Sequence, residues 1–210
     1  MKFVDRIHKA LNIQWFPSPC RVCGEEAGAD AAFCAACRSG FPGTPPVLVL
    51  AHGTVHAGFI YGTPVDGLIQ DFKFHDDLAA GRHLARLALP ALTDGRPQAL
   101  LPIPLHRSRL RQRGFNQSLE LARYWGGQTG IPVLAQALVR IRATNVQSGL
   151  KGAERAANVQ GAFRAVGLLP AHVALVDDVY TTGATCAAAA EVLLAAGVRR
   201  VDVWCLARVP

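Results

Sequence analysis

The sequence predicts an α/β domain with a mostly parallel sheet, preceded by a small cysteine-rich module. From residue 47 onward, short runs rich in β-branched residues alternate with helical stretches. The run 173–176 is apolar throughout, which is typical of a strand that is covered on both faces. Residues 17–46 instead contain five prolines and four cysteines and show little periodic apolar pattern. Because such a segment lacks a hydrophobic core, we expect a covalent or metal cross-link to hold it together.

Each element is predicted from its local pattern. Residues 1–16 space their apolar side chains by three and four, which indicates a short amphipathic helix. The alternating patterns predict strands over 47–51, 55–61, 98–102, 133–139, 172–177 and 200–206, and helices over 65–74, 78–92, 115–125 and 184–196. The charged segment 147–158 is expected to be a mobile loop. The predicted domains are therefore a module over 1–46 and an α/β domain over 47–210.

Composition narrows the class of protein. Of the 210 residues, 50% are hydrophobic and 18% charged, which excludes fibrous, low-complexity and wholly disordered chains. A membrane span needs about 20 apolar residues, and every apolar run of this sequence is interrupted much sooner by a charged residue, Gly or Pro. No signal peptide is apparent either, so we expect a cytoplasmic protein. In that compartment the six cysteines are expected to be metal ligands, buried thiols or catalytic groups. The net charge of +7 favours polyanionic partners or simply keeps the surface soluble.

Four cysteines form two pairs with metal-ligand spacing, Cys20 with Cys23 and Cys34 with Cys37. Two residues between thiolates let one tight turn present both sulfurs to a tetrahedral ion, and two such turns complete a four-sulfur shell. The pattern predicts a structural zinc site, because a closed shell leaves no position for a reacting water. Cys186 and Cys205 lie in a predicted helix and strand, where we expect small buried thiols.

A polar segment follows the apolar strand that ends near residue 177. Two acids, Asp177 and Asp178, are followed by a Thr/Gly loop that opens directly into a helix. Ligands of open parallel sheets bind at the carboxyl ends of the strands. The N–H groups at the helix start, with the hydroxyls of Thr181, Thr182 and Thr185, predict a phosphate site, and the two acids can accept from ribose hydroxyls. The segment therefore predicts binding of a ribose 5-phosphate.

This segment resembles the phosphoribosyl pyrophosphate motif of type I phosphoribosyltransferases. The resemblance implies that fold, with helices on both faces of the sheet, and a ligand bound together with magnesium. It assigns the ribose hydroxyls and the 5-phosphate to Asp177, Asp178, Thr181, Thr182, Gly183, Ala184 and Thr185.

A second stretch of the sequence indicates which family of phosphoribosyltransferase-like proteins the chain resembles. Residues 101–118 combine a proline-bounded strand end, a dense basic loop and a helix start with the sequence Arg-Gly-Phe-Asn-Gln over 113–117. With the cysteine pairs before it and later residues, the chain is similar to the ComF family of competence-associated proteins, which joins a zinc module to a phosphoribosyltransferase-like domain. The later residues are Arg142, Thr144, Gln147, Leu150, Arg155, Asn158 and Phe163. Segment 140–158 resembles the mobile hood of type I transferases.

The basic stretch admits several partners. Guanidinium groups match phosphate oxygens, so Arg107, Arg109 and Arg113 are candidate contacts for pyrophosphate or for a nucleic-acid backbone. Arg107 is equally compatible with an exposed turn, as is the neighbouring Arg111. Lys73 aligns with a lysine of the family and either reaches the pyrophosphate or sits at a helix end favoured by the helix dipole. The helix start at 116–117 is expected to carry a cap.

The resemblance leaves two functions open. One is binding of phosphoribosyl pyrophosphate, with or without transfer of ribose 5-phosphate to a nitrogen nucleophile. The other is a non-catalytic factor of DNA uptake in natural transformation, which uses the fold as a nucleotide sensor or scaffold. Its partners would be single-stranded DNA or a DNA-uptake helicase.

Overall fold

The structure is a computed structural model that describes residues 19–28, 31–75, 77–92, 95–142 and 159–210. These residues form two compact units, one ending at Phe41 and the other running from Pro42 to Pro210. The predicted helix over 1–16 and the predicted loop over 147–158 lie outside the described residues. In the part of the chain that is described, no helix is both long and apolar enough to cross a membrane.

The larger unit is built on a mostly parallel sheet. In chain order the described strands are β1 Leu48–Leu50, β2 Gly53–Ile60, β3 Ala99–Pro102, β4 Leu138–Arg140, β5 Phe163–Ala165, β6 His172–Tyr180 and β7 Arg200–Arg208. The main sheet has the order β1-β2-β7-β6-β3, in which only the β1–β2 pair is antiparallel. Strands β4 and β5 form a separate antiparallel pair. The predicted α/β class with a mostly parallel sheet is confirmed.

Helices cover both faces of this sheet. The described helices of the larger unit are α2 Val65–Phe74, α3 Leu78–Ala88, α4 Arg107–Arg113, α5 Gln117–Thr129 and α6 Ala184–Ala195, whereas α1 Ala35–Ser39 belongs to the smaller unit. On one face, Trp125 of α5 meets Trp204 of β7 edge to face at 6.3 Å between ring centroids. Trp125 also donates from Nε1 to the carbonyl of Ala85, which ties α5 to α3. On the other face, β6 packs Val173 and Leu175 into one core with Leu193 of α6.

The basic stretch after β3 differs from its prediction because it folds into helix α4. His106 begins this helix by accepting from Ser108 N at 3.3 Å, and Gly114 ends it in the left-handed conformation at φ 79°. Glycine adopts that conformation without the penalty that a Cβ brings. The arginines are therefore distributed with the 3.6-residue period of a helix, which separates them into two faces.

Two strand predictions need correction. Residues 133–137 are not part of a strand: Val133 makes an isolated bridge to Leu100, and the following strand is only Leu138–Arg140. Strand β6 is longer than predicted and runs through both acids to Tyr180, because it stays paired with β7 as far as Arg208. The acids thus lie on a hydrogen-bonded strand, which holds their backbone in place.

Candidate functional site

A cleft of about 410 Å³ lies in the larger unit at the carboxyl ends of the parallel strands. Residues at the ends of three strands line it: Tyr61 after β2, Ile103 after β3 and the last residues of β6. Side chains of α2, α4, α5 and β4 form the rest of the wall. The position is the one at which open α/β sheets bind ligands.

Two carboxylates on β6 form one side of the cleft. Asp177 Oδ1 accepts from Ser118 Oγ at 3.1 Å and from the Asp178 backbone N–H at 3.0 Å. Asp178 Oδ1 accepts from the Val179 N–H at 2.7 Å and forms an ion pair with Lys73 Nζ at 2.9 Å. Burial, together with the neighbouring charge of Asp178, raises the pKa of Asp177 to about 7, although Lys73 opposes the shift. Near neutral pH this carboxyl is poised between its two protonation states.

The loop after β6 and the start of α6 form the floor of the cleft. All the residues from Thr181 to Thr185 line it. Gly183 precedes the helix with φ 74°, and a Cβ at this position would lie 2.1 Å from Tyr180 Oη. Only glycine fits both constraints. The first turn of α6 carries no acidic side chain, so no carboxylate of that turn competes for the helix N-terminus, which favours anions.

Four cationic side chains face the acids and the loop. They are Lys73 of α2, Arg109 and Arg113 of α4, and Arg140 of β4. Arg109 and Arg113 are four residues apart, so one face of α4 presents both to the cleft. Arg107 and Arg111 are exposed and do not line it. The candidate contacts Lys73, Arg109 and Arg113 are thus brought together with the acids, whereas Arg107 is not.

The cleft holds its guanidinium groups in partly dehydrated positions. Arg113 Cζ lies 4.9 Å from the centroid of the Phe74 ring, and Arg140 Cζ lies 5.2 Å from that of Phe163. Burial lowers the pKa of both arginines, and the charge of Arg109 lowers them further, against the opposing pull of the acids. Arginine stays ionised even so. Like charges close together repel one another, and an anion bound between them would offset that repulsion.

The sequence did not single out Arg140 or Ser118 as residues of the cleft, and it gave Gln117 only as part of a helix cap with Asn116. Arg140 comes from a strand just before the segment that was expected to be mobile, and Ser118 follows the predicted cap. Asn116 is that cap: its Oδ1 accepts from Ser118 N at 3.0 Å, while its Nδ2 donates to the Ile103 carbonyl at 3.1 Å. The Arg-Gly-Phe-Asn-Gln pattern identified residues 113–117 as a feature of the family, but it did not indicate which side chains would face a ligand.

The smaller unit brings its four cysteines together. The sulfurs of Cys20, Cys23, Cys34 and Cys37 all lie within 4.8 Å of one another, and Cys23 and Cys34 are 3.8 Å apart. Metal–sulfur bonds of about 2.3 Å place the corners of a tetrahedron about 3.8 Å apart, so the sulfurs fit a four-coordinate ion.

The local backbone prepares this cluster for a cation. The N–H of Gly24, at φ 78°, bonds to the Cys20 carbonyl at 2.8 Å and closes the first turn. Although burial opposes it, N–H groups that include that of Cys23 lower the pKa of Cys20 to about 6. The thiols of Cys23 and Cys34 raise the pKa of Cys37. A bound cation would relieve this conflict by stabilising all the thiolates, so the cluster is a candidate metal site.

Known proteins resemble the chain over most of its length, although no family model matches it. It is 34% identical over 207 residues to "Competence protein F" of Haemophilus influenzae, covering 93% of this chain and 86% of that protein. It is 33% identical over 201 residues to "DNA utilization protein YhgH" of Salmonella typhi, with coverage of 91% and 84%. "Competence protein ComFC" of Streptococcus pneumoniae is 28% identical over 151 residues, which are 71% of this chain and 66% of that protein. This chain belongs to the ComF family of competence proteins.

Proposed function

We propose that the protein binds phosphoribosyl pyrophosphate with magnesium in the cleft and acts in DNA uptake. The observation that carries the proposal is the convergence of two acids, a Thr/Gly helix start and four cationic side chains on one cavity of about 410 Å³. In this proposal the larger unit has the type I phosphoribosyltransferase fold. The names of the relatives support the role in competence and DNA use.

The three parts of the ligand match three parts of the cleft. The 5-phosphate binds the N–H groups and hydroxyls from Thr181 to Thr185, where the start of α6 favours an anion. The ribose hydroxyls donate to Asp177 and Asp178. The pyrophosphate lies among the ammonium of Lys73 and the guanidinium groups of α4 and β4, whose forks suit phosphate oxygens.

Charge complementarity supports this arrangement. Lys73, Arg109, Arg113 and Arg140 supply four positive charges, against two acids of which one has a pKa of about 7. An empty cleft of this kind carries an excess of positive charge at neutral pH. A polyphosphate neutralises that excess, whereas an uncharged sugar would leave it in place.

Magnesium enters as part of the ligand. It prefers oxygen ligands and retains several waters, and it binds to substrate phosphates together with one or two carboxylates. Asp177 and Asp178 are the carboxylates of the cleft, so they fit such an ion. When bound, the ion neutralises charge on the pyrophosphate.

The same groups suit the transfer of ribose 5-phosphate to a nitrogen nucleophile. The bond from C1 to the pyrophosphate oxygen breaks and its electron pair leaves with the pyrophosphate, while the nitrogen lone pair forms the new bond to C1. The proton that the nitrogen then loses passes to the departing pyrophosphate. Arg109 and Arg113 stabilise the departing charge, and the carboxylates stabilise positive charge on the ribose ring. No side-chain nucleophile is needed for this reaction.

A second function is supported by the outer face of α4. Arg107 and Arg111 are exposed there, away from the cleft. Exposed arginines on one helix face can contact the backbone of single-stranded DNA or an acidic surface of a helicase. In this alternative the cleft serves as a nucleotide sensor and catalysis is absent.

The smaller unit is proposed to hold a structural zinc ion through Cys20, Cys23, Cys34 and Cys37. Zinc supplies folding free energy to a unit in which few of the described residues are apolar and buried, Ala27 and Phe33 among them. Because all four positions are filled by sulfur, the ion takes no part in the reaction.

Titration calorimetry with phosphoribosyl pyrophosphate and magnesium tests the proposed ligand. We expect the Asp177→Asn, Asp178→Asn double variant to bind at least about 100-fold more weakly, because hydrogen bonds to charged groups are lost. The control is Asp66→Asn, which lies outside the cleft and should bind normally. Equal affinity of the double variant and the control would refute the ribose assignment. Release of pyrophosphate with a panel of amines and bases then separates the transferase from the sensor.

A further inference from the structure

The amide nitrogen of one side chain in the wall of the cleft has no hydrogen-bonding partner among the described residues. Gln117 is the first residue of α5, it is only 1% exposed, and it lines the cleft. Among the described residues, nothing bonds to its Nε2. Its neighbours are satisfied: Asn116 caps the helix, and Ser118 donates to Asp177. The helix start is therefore complete without the Gln117 amide, and the predicted cap is Asn116 alone.

A buried amide without a partner is unfavourable. An N–H group that gives up its water and gains no acceptor destabilises the folded protein, whereas an apolar side chain of the same shape would not. The unpaired amide of Gln117 therefore destabilises the ligand-free protein, whereas a methionine at the same place would not. A native protein commonly satisfies such a buried group with a water, an ion or a ligand.

In the structure no side chain of the cleft supplies that partner, although carboxylates and threonine hydroxyls of the lining are acceptors. Lys73, Arg109, Arg113 and Arg140 are hydrogen-bond donors, and a donor cannot satisfy the Gln117 NH₂. Asp178 already accepts from Lys73 and from a backbone N–H. We therefore expect the acceptor for the Gln117 amide to be an atom of the ligand that binds in the cleft.

We infer that Gln117 is a ligand-binding residue whose Nε2 donates to an acceptor oxygen of the sugar phosphate bound in the cleft. The inference rests on the proposed function and adds a position that sets specificity. A site that leaves a buried polar group unpaired discriminates strongly against a ligand lacking the matching atom. The acceptor is an oxygen of either the ribose or the pyrophosphate, and the two sources can be separated by experiment.

The test is the Gln117→Met variant, which keeps a long unbranched side chain and removes the amide. Two effects of opposite sign are expected. The ligand-free variant should melt about 2–4 °C higher, since an unsatisfied buried group is gone. Its affinity for magnesium phosphoribosyl pyrophosphate should fall about 10- to 100-fold, since a hydrogen bond to the ligand is lost.

The control is Gln128→Met on the same helix, where the glutamine is exposed. It should change neither property. A purely structural role of Gln117 predicts a lower melting temperature with unchanged affinity, and this result would overturn the inference. Gln117→Glu keeps the shape but replaces the NH₂ donor by oxygen, so it should also bind more weakly even if the methionine variant folds poorly.

Ribose 5-phosphate and pyrophosphate, titrated separately, identify the oxygen. A loss confined to ribose 5-phosphate places the bond on the sugar side, and a loss confined to pyrophosphate places it on the other side; either supports the inference. If the unsubstituted protein binds phosphoribosyl pyrophosphate and the Gln117 variants bind it equally well, the inference fails alone. If the unsubstituted protein does not bind it, the proposed function fails, and the inference with it.

Discussion

Binding in the cleft should depend on pH through Asp177, whose pKa is raised to about 7 by burial and by the charge of Asp178. Ribose hydroxyls donate to the ionised carboxylate and not to its protonated oxygen. With a pKa near 7, the ionised fraction rises from about one part in eleven at pH 6 to about ten parts in eleven at pH 8. The affinity for phosphoribosyl pyrophosphate should therefore increase about tenfold over that interval.

Ser118 provides a perturbation that moves this profile. Its Oγ donates to Asp177 Oδ1 at 3.1 Å and lowers the pKa of the carboxyl against the effect of burial. One hydrogen bond to a charged group is worth about 1.5–3 kcal/mol, which corresponds to about one to two pH units. In Ser118→Ala the midpoint should shift by about that amount to higher pH, and affinity at pH 7 should fall.

Calorimetric titrations at several pH values measure both effects. The phosphates of the ligand also titrate near pH 6, so Asp177→Asn supplies the slope that belongs to the ligand alone. Ser39→Ala, an exposed serine of the smaller unit, is the control and should leave the profile unchanged. A profile of Ser118→Ala that coincides with that of the unsubstituted protein would refute the assignment of the titration to Asp177.

The same carboxyl predicts the sign of the stability change. Its pKa is about 7 in the folded protein, against an ordinary value of 3.8, so the folded state holds this proton more tightly. The contribution is present below pH 4, and the free energy of unfolding then decreases as the pH rises from about 4 toward 7. Asp177→Asn should remove this part of the pH dependence, which denaturant titrations at pH 5 and pH 7 can measure.

Three further predictions concern other parts of the chain. Gly183→Ala should abolish phosphate binding and destabilise the protein by more than about 1 kcal/mol, because the new Cβ would clash with Tyr180 Oη and φ at this position is positive. Calorimetry measures the loss of binding, and denaturant titration measures the loss of stability. Arg113→Ala should weaken pyrophosphate binding about tenfold, whereas Arg111→Ala should leave it unchanged. Arg111→Ala should instead reduce the salt dependence of single-stranded DNA binding by about one charge, which fluorescence titrations at several salt concentrations would show. Elemental analysis should find one zinc per chain, which Cys34→Ser loses, and retained zinc in that variant would contradict the four-sulfur site.

The layout of the sheet was predictable because it depends on patterns that local sequence carries. An apolar strand such as β6 and the alanine-rich helix α6 are recognisable from composition alone. The continuation of β6 through two acids was not, since it results from pairing with β7, which is distant in sequence. Long-range hydrogen bonding overrode the local signal that acidic residues end a strand.

The cleft was predictable in its acids and loop but not in its cationic wall. The Asp177–Thr185 segment is contiguous, so its own order already indicates a phosphate site. The arginines instead depend on a helix that the sequence suggested was a loop, and its period decides that Arg109 faces the cleft while Arg107 does not. Arg140 reaches the cleft from a strand that pairs with β5 across the segment 143–158. No local pattern carries that information.

The ion pair between Lys73 and Asp178 couples the two ends of the proposed ligand. In the empty cleft these groups satisfy each other at 2.9 Å. A ribose that takes Asp178 alone leaves the ammonium of Lys73 without its partner, and a pyrophosphate that takes Lys73 alone leaves the carboxylate uncompensated. In the proposed complex, phosphoribosyl pyrophosphate would replace both halves of the pair at once. Its binding free energy should therefore be more favourable than the two halves measured separately would suggest, and Lys73→Met should remove much of that excess.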